Sequence, residues 1–143
     1  MDVYLAAQYS RLEEMRDYAT RLNNIKHWVT SSWLSDNRSI ITKPVDYNMR
    51  NFAYEDINNI NRADLVVVFA EDPNNQIDGD RGDRHFELGY ALGAGKLTAI
   101  IGPRENKFYH LTKVIYFRTF NNFYEWIRLI EPEAGRNQFE ETK

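Results

Sequence analysis

The sequence contains no cysteine. That excludes disulfide scaffolds, thiol nucleophiles and cysteine-ligated zinc together, and makes a reducing compartment the natural expectation. Nor is there an excess of positive charge. Lys plus Arg number 18 against 21 for Asp plus Glu, a formal net charge of -3, so no basic footprint for a nucleic acid polymer is present. No apolar run approaches the roughly 20 residues that span a bilayer. The first apolar run, Val3 to Ala7, has no basic segment before it, so neither a membrane partner nor a secretory signal is expected, and a cytoplasmic location is. What is there fits one globule: 143 residues and 16.9 kDa, enough for a single domain over 1–131 with a polar tail over 132–143. Aromatic residues reach 14%, which serves either a core or a pocket that stacks a flat ligand.

Strands and helices alternate along the chain. Val3 to Ala7 reads as a buried strand. Ser10-Arg11-Leu12-Glu13 has the capping-box form, and Leu12, Met15, Tyr18, Ala19 and Leu22 follow at helical spacing, so 10–23 reads as an amphipathic helix. His27 to Leu34 is rich in β-formers and reads as a second strand, followed by a polar loop over 35–47. A helix from Asn48 to Asn61 would place Met49, Phe52, Ala53, Ile57 and Ile60 on one face. Asp64 to Ala70 is the clearest strand, apolar throughout as in a parallel sheet covered on both sides. A polar loop over 71–84 leads to a helix over 85–94, stopped by Gly93 and Gly95. Strands from Leu97 to Ile101 and Val114 to Phe117, then a helix over 120–131, complete the pattern. The expectation is an α/β fold: a flavodoxin-like, doubly wound sheet of five parallel strands in the order 2-1-3-4-5, with helices on both faces. Ligands of such sheets bind beyond the carboxyl ends of the strands, where the winding reverses. That singles out residues 8–11, 71–87 and 102–110.

Glu87 falls in the first turn of the expected 85–94 helix. A carboxylate there meets the partial positive charge of the helix N-terminus, worth about 0.3–1 kcal/mol at exposed sites, which favours the ionised form that a nucleophile requires. A glutamate so placed can equally do no more than stabilise its helix. Asp56 lies on a helical stretch beside Glu55, Asn58 and Asn59, consistent with a solvated face. Tyr4 reads as a core aromatic whose hydroxyl reaches the strand end. Several apparent motifs fail. Gly89 to Lys96 misses the phosphate-loop spacing and closes a helix instead of opening one. Asp78 to Asp83 lacks the twelfth-position glutamate of a calcium loop. His27, His85 and His110 show no metal-ligand spacing, so no metal is expected.

Taken together, Val3-Tyr4-Leu5-Ala6-Ala7, the segment from Asp56-Ile57 through Ala63-Asp64-Leu65-Val66-Val67-Val68, and Phe86-Glu87-Leu88-Gly89-Tyr90-Ala91-Leu92 followed by Gly95-Lys96 resemble the nucleoside 2-deoxyribosyltransferase family. The family includes the related 2′-deoxynucleoside 5′-monophosphate N-glycosidases. The resemblance runs from residue 3 to about residue 117. It implies that Glu87 attacks the anomeric carbon to form a deoxyribosyl ester, that Asp56 orients and protonates at the glycosidic centre, and that Tyr4 holds the nucleophilic carboxylate. This is retaining N-glycoside chemistry, with a free base as acceptor for exchange or water for hydrolysis. No cofactor is called for. Small-molecule 2′-deoxynucleosides, their 5′-monophosphates and free bases are the implied partners, along with further copies of the chain in a dimer or larger homo-oligomer.

One position departs from the family. Six residues before Glu87, where the transferases carry an aspartate and the hydrolases a serine, stands Arg81. Base protonation could then fall to Asp80 or Asp83. Arg81, Arg84 and Arg11 could supply guanidinium forks for a 5′-phosphate, with Ser10 and Arg11 at a helix N-terminus suited to an anion. Asn106, in the stretch from Pro103 to His110, could hold a sugar hydroxyl; the same stretch could also be a plain connection packed by Phe108 and Tyr109. Three readings follow: base exchange on deoxynucleosides, hydrolysis of deoxynucleoside monophosphates, and a nucleotide-binding module without turnover.

Overall fold

Five parallel strands form the centre of the structure, a computed structural model that describes residues 1–35, 38, 45–75 and 82–132. They are β1 (Asp2–Ala6), β2 (Trp28–Val29), β3 (Leu65–Phe69), β4 (Leu97–Ile101) and β5 (Ile115–Phe117). Their order is β2-β1-β3-β4-β5, the flavodoxin-like order expected from the alternation of elements. The four long helices are α1 (Leu12–Asn24), α2 (Val45–Arg62), α3 (Asp83–Gly93) and α4 (Phe120–Ile127). The central strand β3 is fully buried from Leu65 to Phe69, which is what an apolar run covered on both faces requires. Tyr18 of α1 stacks on Phe120 of α4 at 3.8 Å and on Phe69 at 5.5 Å, joining these helices on one face. α2 and α3 meet on the other, where the Tyr90 hydroxyl donates to Asn61 Oδ1 at 2.7 Å. The winding reverses between β1 and β3, whose register pairs Tyr4 with Val66 and Ala6 with Val68.

Five local expectations are corrected. The strand expected over His27–Leu34 shrinks to Trp28–Val29, and Ser32–Leu34 forms a 3-10 turn. Side chains take over the ladder there: the Leu5 N–H donates to Ser31 Oγ at 2.7 Å, and Trp33 Nε1 donates to the Leu5 carbonyl at 2.9 Å. Serine competes with the backbone for its hydrogen bonds, and the outcome turns Trp33 inward. The capping box also fails. Ser10 lies in a 3-10 turn, Tyr9–Arg11, with its hydroxyl donating to Gln8 Oε1, while Glu13 pairs with Arg16. Helix α2 begins at Val45, inside the expected loop, with Asp46 in its first turn where the helix dipole favours an acid.

Most consequential is α3, which starts at Asp83, two residues earlier than the pattern suggests. Gly82 precedes it at φ +75, a left-handed conformation that glycine adopts without a Cβ penalty. Its end matches expectation, with Gly95 also at φ +75. The final helix stops at Ile127, short of 131, and is capped by Thr119, whose Oγ1 accepts from the Asn122 N–H at 3.2 Å. Among the described residues no helix is long and apolar enough to cross a membrane. The tail from 133 and the segment 76–81, with Asp80 and Arg81, lie outside the described residues.

Candidate active site

Tyr4, Asp56 and Glu87 come from three elements, far apart in sequence, and line one cavity of about 510 Å³. Strand β1 carries Tyr4 with no exposed surface. Its hydroxyl donates a short hydrogen bond to Glu87 Oε2. Helix α3 brings Glu87 to the floor, where it is 7% exposed. Asp56 enters from α2, on the same side of the helix as Phe52, Ala53, Ile57 and Ile60, which also line the cavity. The apolar stripe of α2 is therefore both a core face and a cavity wall. Tyr9 and Trp33, 6.3 Å apart between ring centroids, stand among the lining residues from the β1 and β2 ends, and Phe86 joins them from α3. Flat aromatic walls beside a few convergent polar groups are the usual make-up of a small-molecule site.

The electrostatics of Glu87 run against the expectation from its helix. Because α3 starts at Asp83, Glu87 sits in the second turn, where the dipole has faded. Burial decides instead: loss of water pushes its carboxyl up to about 8, the hydrogen bond from Tyr4 pulls down, and Asp56 and Asp83 push up. A dipole worth about 1 kcal/mol cannot match a desolvation shift of several pH units at about 1.4 kcal/mol each. Burial therefore favours the protonated form of Glu87. Tyr4 is raised well above its ordinary value, chiefly by burial and then by the neighbouring Glu87.

Arg38 was not singled out by the sequence, yet it dominates the polar side of the cavity. Its Nη1 donates to Asp56 Oδ2 at 3.0 Å, and its Nη2 lies 2.9 Å from Asp56 Oδ1 and 3.1 Å from Glu55 Oε2. The guanidinium also sits 4.7 Å over the Phe52 ring. Nothing in the spacing of a polar stretch containing one arginine announces such a bridge; only the place of Arg38 beside α2 makes it. Trp33 was hidden in the same way, inside a segment that reads as strand.

The other expected residues divide. Asp83 lines the cavity. Ser10 and Arg11 do not: Arg11 is held between Glu14 at 2.6 Å and Glu71 at 2.9 Å, and packs over Phe69 at 5.4 Å. Arg84 is buried away from the cavity in a two-pronged pair with Glu105, its Nη2 at 2.8 Å from Oε2. Asn106 caps the 3-10 turn Lys107–His110, accepting from the Phe108 N–H at 2.9 Å, and its Nδ2 lies 3.3 Å from His85 Nδ1. The structure thus brings Tyr4, Asp56, Asp83 and Glu87 together and leaves Ser10, Arg11, Arg84 and Asn106 outside the cavity lining. Among the described residues, no group of three or more His, Asp or Glu side chains could hold a metal ion.

No protein-family model and no curated protein matches the chain. Solved structures do. A 2-deoxyribosyltransferase from the psychrotolerant bacterium Bacillus psychrosaccharolyticus superposes with a TM-score of 0.68 at 17% identity, over 94% of this chain and 100% of that one. A CMP N-glycosidase from Clostridium botulinum superposes with a TM-score of 0.58 at 19% identity, over 91% of this chain and 100% of that one. The chain shares their fold. At this identity the comparison speaks to architecture, in agreement with the strand order described above.

Proposed function

We propose that the protein cleaves the N-glycosidic bond of 2′-deoxynucleosides and passes the deoxyribosyl group to another base, through an ester on Glu87. The observation that carries this reading is the buried Glu87 carboxyl held by Tyr4 in a cavity that Asp56 also lines. Two carboxyl groups flanking one substrate carbon are the equipment of retaining glycoside chemistry. The structural neighbours support it, one being a 2-deoxyribosyltransferase and the other a CMP N-glycosidase.

In this reading the sugar sits with its anomeric carbon against Glu87, and the base lies between the aromatic walls. Tyr4 fixes the attacking carboxyl, so that one oxygen is tethered and the other faces the substrate. Asp56 serves at the leaving base and then at the acceptor. The described lining carries the three carboxyl groups of Asp56, Asp83 and Glu87 and the guanidinium of Arg38, already paired with Asp56. That balance suits a neutral nucleoside better than a phosphate dianion. Exposed apolar residues on α2 near the cavity, including Met49 at 46%, support a homo-oligomer as the working form.

The test is product analysis. Deoxyinosine incubated with adenine should yield deoxyadenosine, and intact mass should show a deoxyribosyl adduct that is absent in Glu87→Ala. Free base plus deoxyribose 5-phosphate from a deoxynucleoside monophosphate would instead establish hydrolysis. Binding of nucleosides without any product would leave a non-catalytic module.

A further inference from the structure

Forming a deoxyribosyl ester from a neutral nucleoside has a simple proton balance. A Glu87 oxygen bonds to C1′, the C1′–N bond breaks with its electron pair going to the base, and one proton must end on that base. The site therefore needs one proton shared between two carboxyl groups, and the place where it waits matters. Arg38 touches only one of them. Its Nη1 donates to Asp56 Oδ2 at 3.0 Å, its Nη2 lies at ion-pair distance, 2.9 Å, from Oδ1, and it is itself braced by Glu55 and the Phe52 ring. Among the described residues no cation is paired with Glu87, which Arg38 reaches only through space and which accepts from Tyr4.

Resting on the base-exchange reading, we infer that Arg38 is a positioning residue that keeps Asp56 as the carboxylate and stores the site's single proton on Glu87, from which Asp56 relays it to the departing base. The nucleophile is thereby masked until the base of a bound substrate takes the proton, and only then does the ester form. Among the described residues, the charged and titratable neighbours that face this pair are Tyr4 from β1, Glu55 and Asp56 from α2, Asp83 from α3, and Arg38. The direction of the Glu87 shift agrees: burial, Asp56 and Asp83 raise it to about 8, with Arg38 and Tyr4 opposing. A cation removed from beside coupled acids raises their titrations and frees the proton to move between them.

The experiment follows the carboxyl carbons of Glu87 and Asp56 by 13C NMR at about pH 6.5, in the wild type, Arg38→Gln and Arg38→Lys. The wild type should show Glu87 protonated and Asp56 ionised. Arg38→Gln should move part of the proton to Asp56 and raise the upper titration of the pair by about one unit or more, while Arg38→Lys stays close to the wild type. Turnover gives a second reading. With deoxyinosine, kcat/KM should fall above about pH 8 in the wild type, and in Arg38→Gln that fall should move upward. The loss in Arg38→Gln should be about tenfold greater on deoxyinosine than on 4-nitrophenyl 2-deoxyriboside, whose leaving group departs without a proton.

An ionised Glu87 at pH 6.5 in the wild type would overturn the inference, as would equal losses on the two substrates or a lysine variant that shifts as far as the glutamine one. If Arg38→Gln fails to fold, Arg38→Met, which retains the stem against Phe52, reads the same titration. A wild type that turns over neither substrate would defeat the base-exchange reading, and the NMR titration would still judge Arg38.

Discussion

At Glu87 two opposing forces meet, and their sizes decide the outcome. Ionised, it loses its water shell in a site where it is 7% exposed; protonated, it keeps its bond with Tyr4 at little cost. Its folded-state titration is raised, from the ordinary carboxyl value to about 8. A group raised on folding contributes stability that is present below its unfolded titration and is lost as pH climbs through the folded one. The wild type should therefore weaken between about pH 5 and pH 8 relative to Glu87→Gln, by up to about 5 kcal/mol, and the difference should level off above pH 9. Urea denaturation of both proteins across that range checks this, and a constant difference would show that Glu87 is ionised throughout. The sequence marked Glu87 and its neighbourhood but weighed only the helix terminus, where burial opposes the ionised form. Helix position can be read from pattern, whereas burial depends on what Tyr4 and Asp56 bring to it from β1 and α2.

Between elements, the segment after β4 is tied to the start of α3 by the Arg84–Glu105 pair, with side chains 1% and 2% exposed. Glu105 Oε1 also accepts from the Tyr109 hydroxyl at 3.0 Å and from the Glu71 N–H at 3.2 Å, so one carboxylate gathers the ends of β3 and β4. Removing its cation strands a buried charge. Arg84→Met should cost about 3–5 kcal/mol, measured by thermal or urea unfolding, and Arg84→Met with Glu105→Gln should recover much of that. Full additivity of the two single losses would argue against the pair acting as a unit. Arg84 reads in sequence as a phosphate ligand, because an arginine beside a helix N-terminus near a sheet rim satisfies every local criterion for one. Its partner lies 21 residues on, and no periodicity links them. Arg11 misleads for the same reason, its charge taken up by Glu14 and Glu71.

For the whole molecule, the surface near the cavity is more apolar than a lone soluble chain needs. Val45, Tyr47 and Tyr54 of α2 are 59%, 52% and 61% exposed, and Phe86 of α3 is 60% exposed. Exposed apolar side chains on adjacent helices can serve contacts between proteins where they join into a patch. Sedimentation velocity at micromolar concentration should give a dimer or larger, and Tyr47→Glu with Tyr54→Glu should shift it toward monomer. A wild-type monomer would remove the oligomer from the proposed function.

The architecture could be read almost entirely from the chain because its causes are local: apolar runs of strand length, helical stripes between them, and glycines where helices stop. Those features impose the parallel sheet and its order, and with it the rim where polar residues gather. The resemblance drawn from three short blocks placed Tyr4, Asp56 and Glu87, and the fold brings all three to one cavity. What waited on the tertiary structure was every quantity set by neighbours distant in sequence. Arg38 becomes the partner of Asp56, Trp33 turns from strand to wall, Arg11 and Arg84 are taken up in ion pairs, and burial pushes the Glu87 carboxyl up. Hydration and ion pairing are properties of a place in three dimensions, and a one-dimensional pattern has no means of encoding which charges will share it.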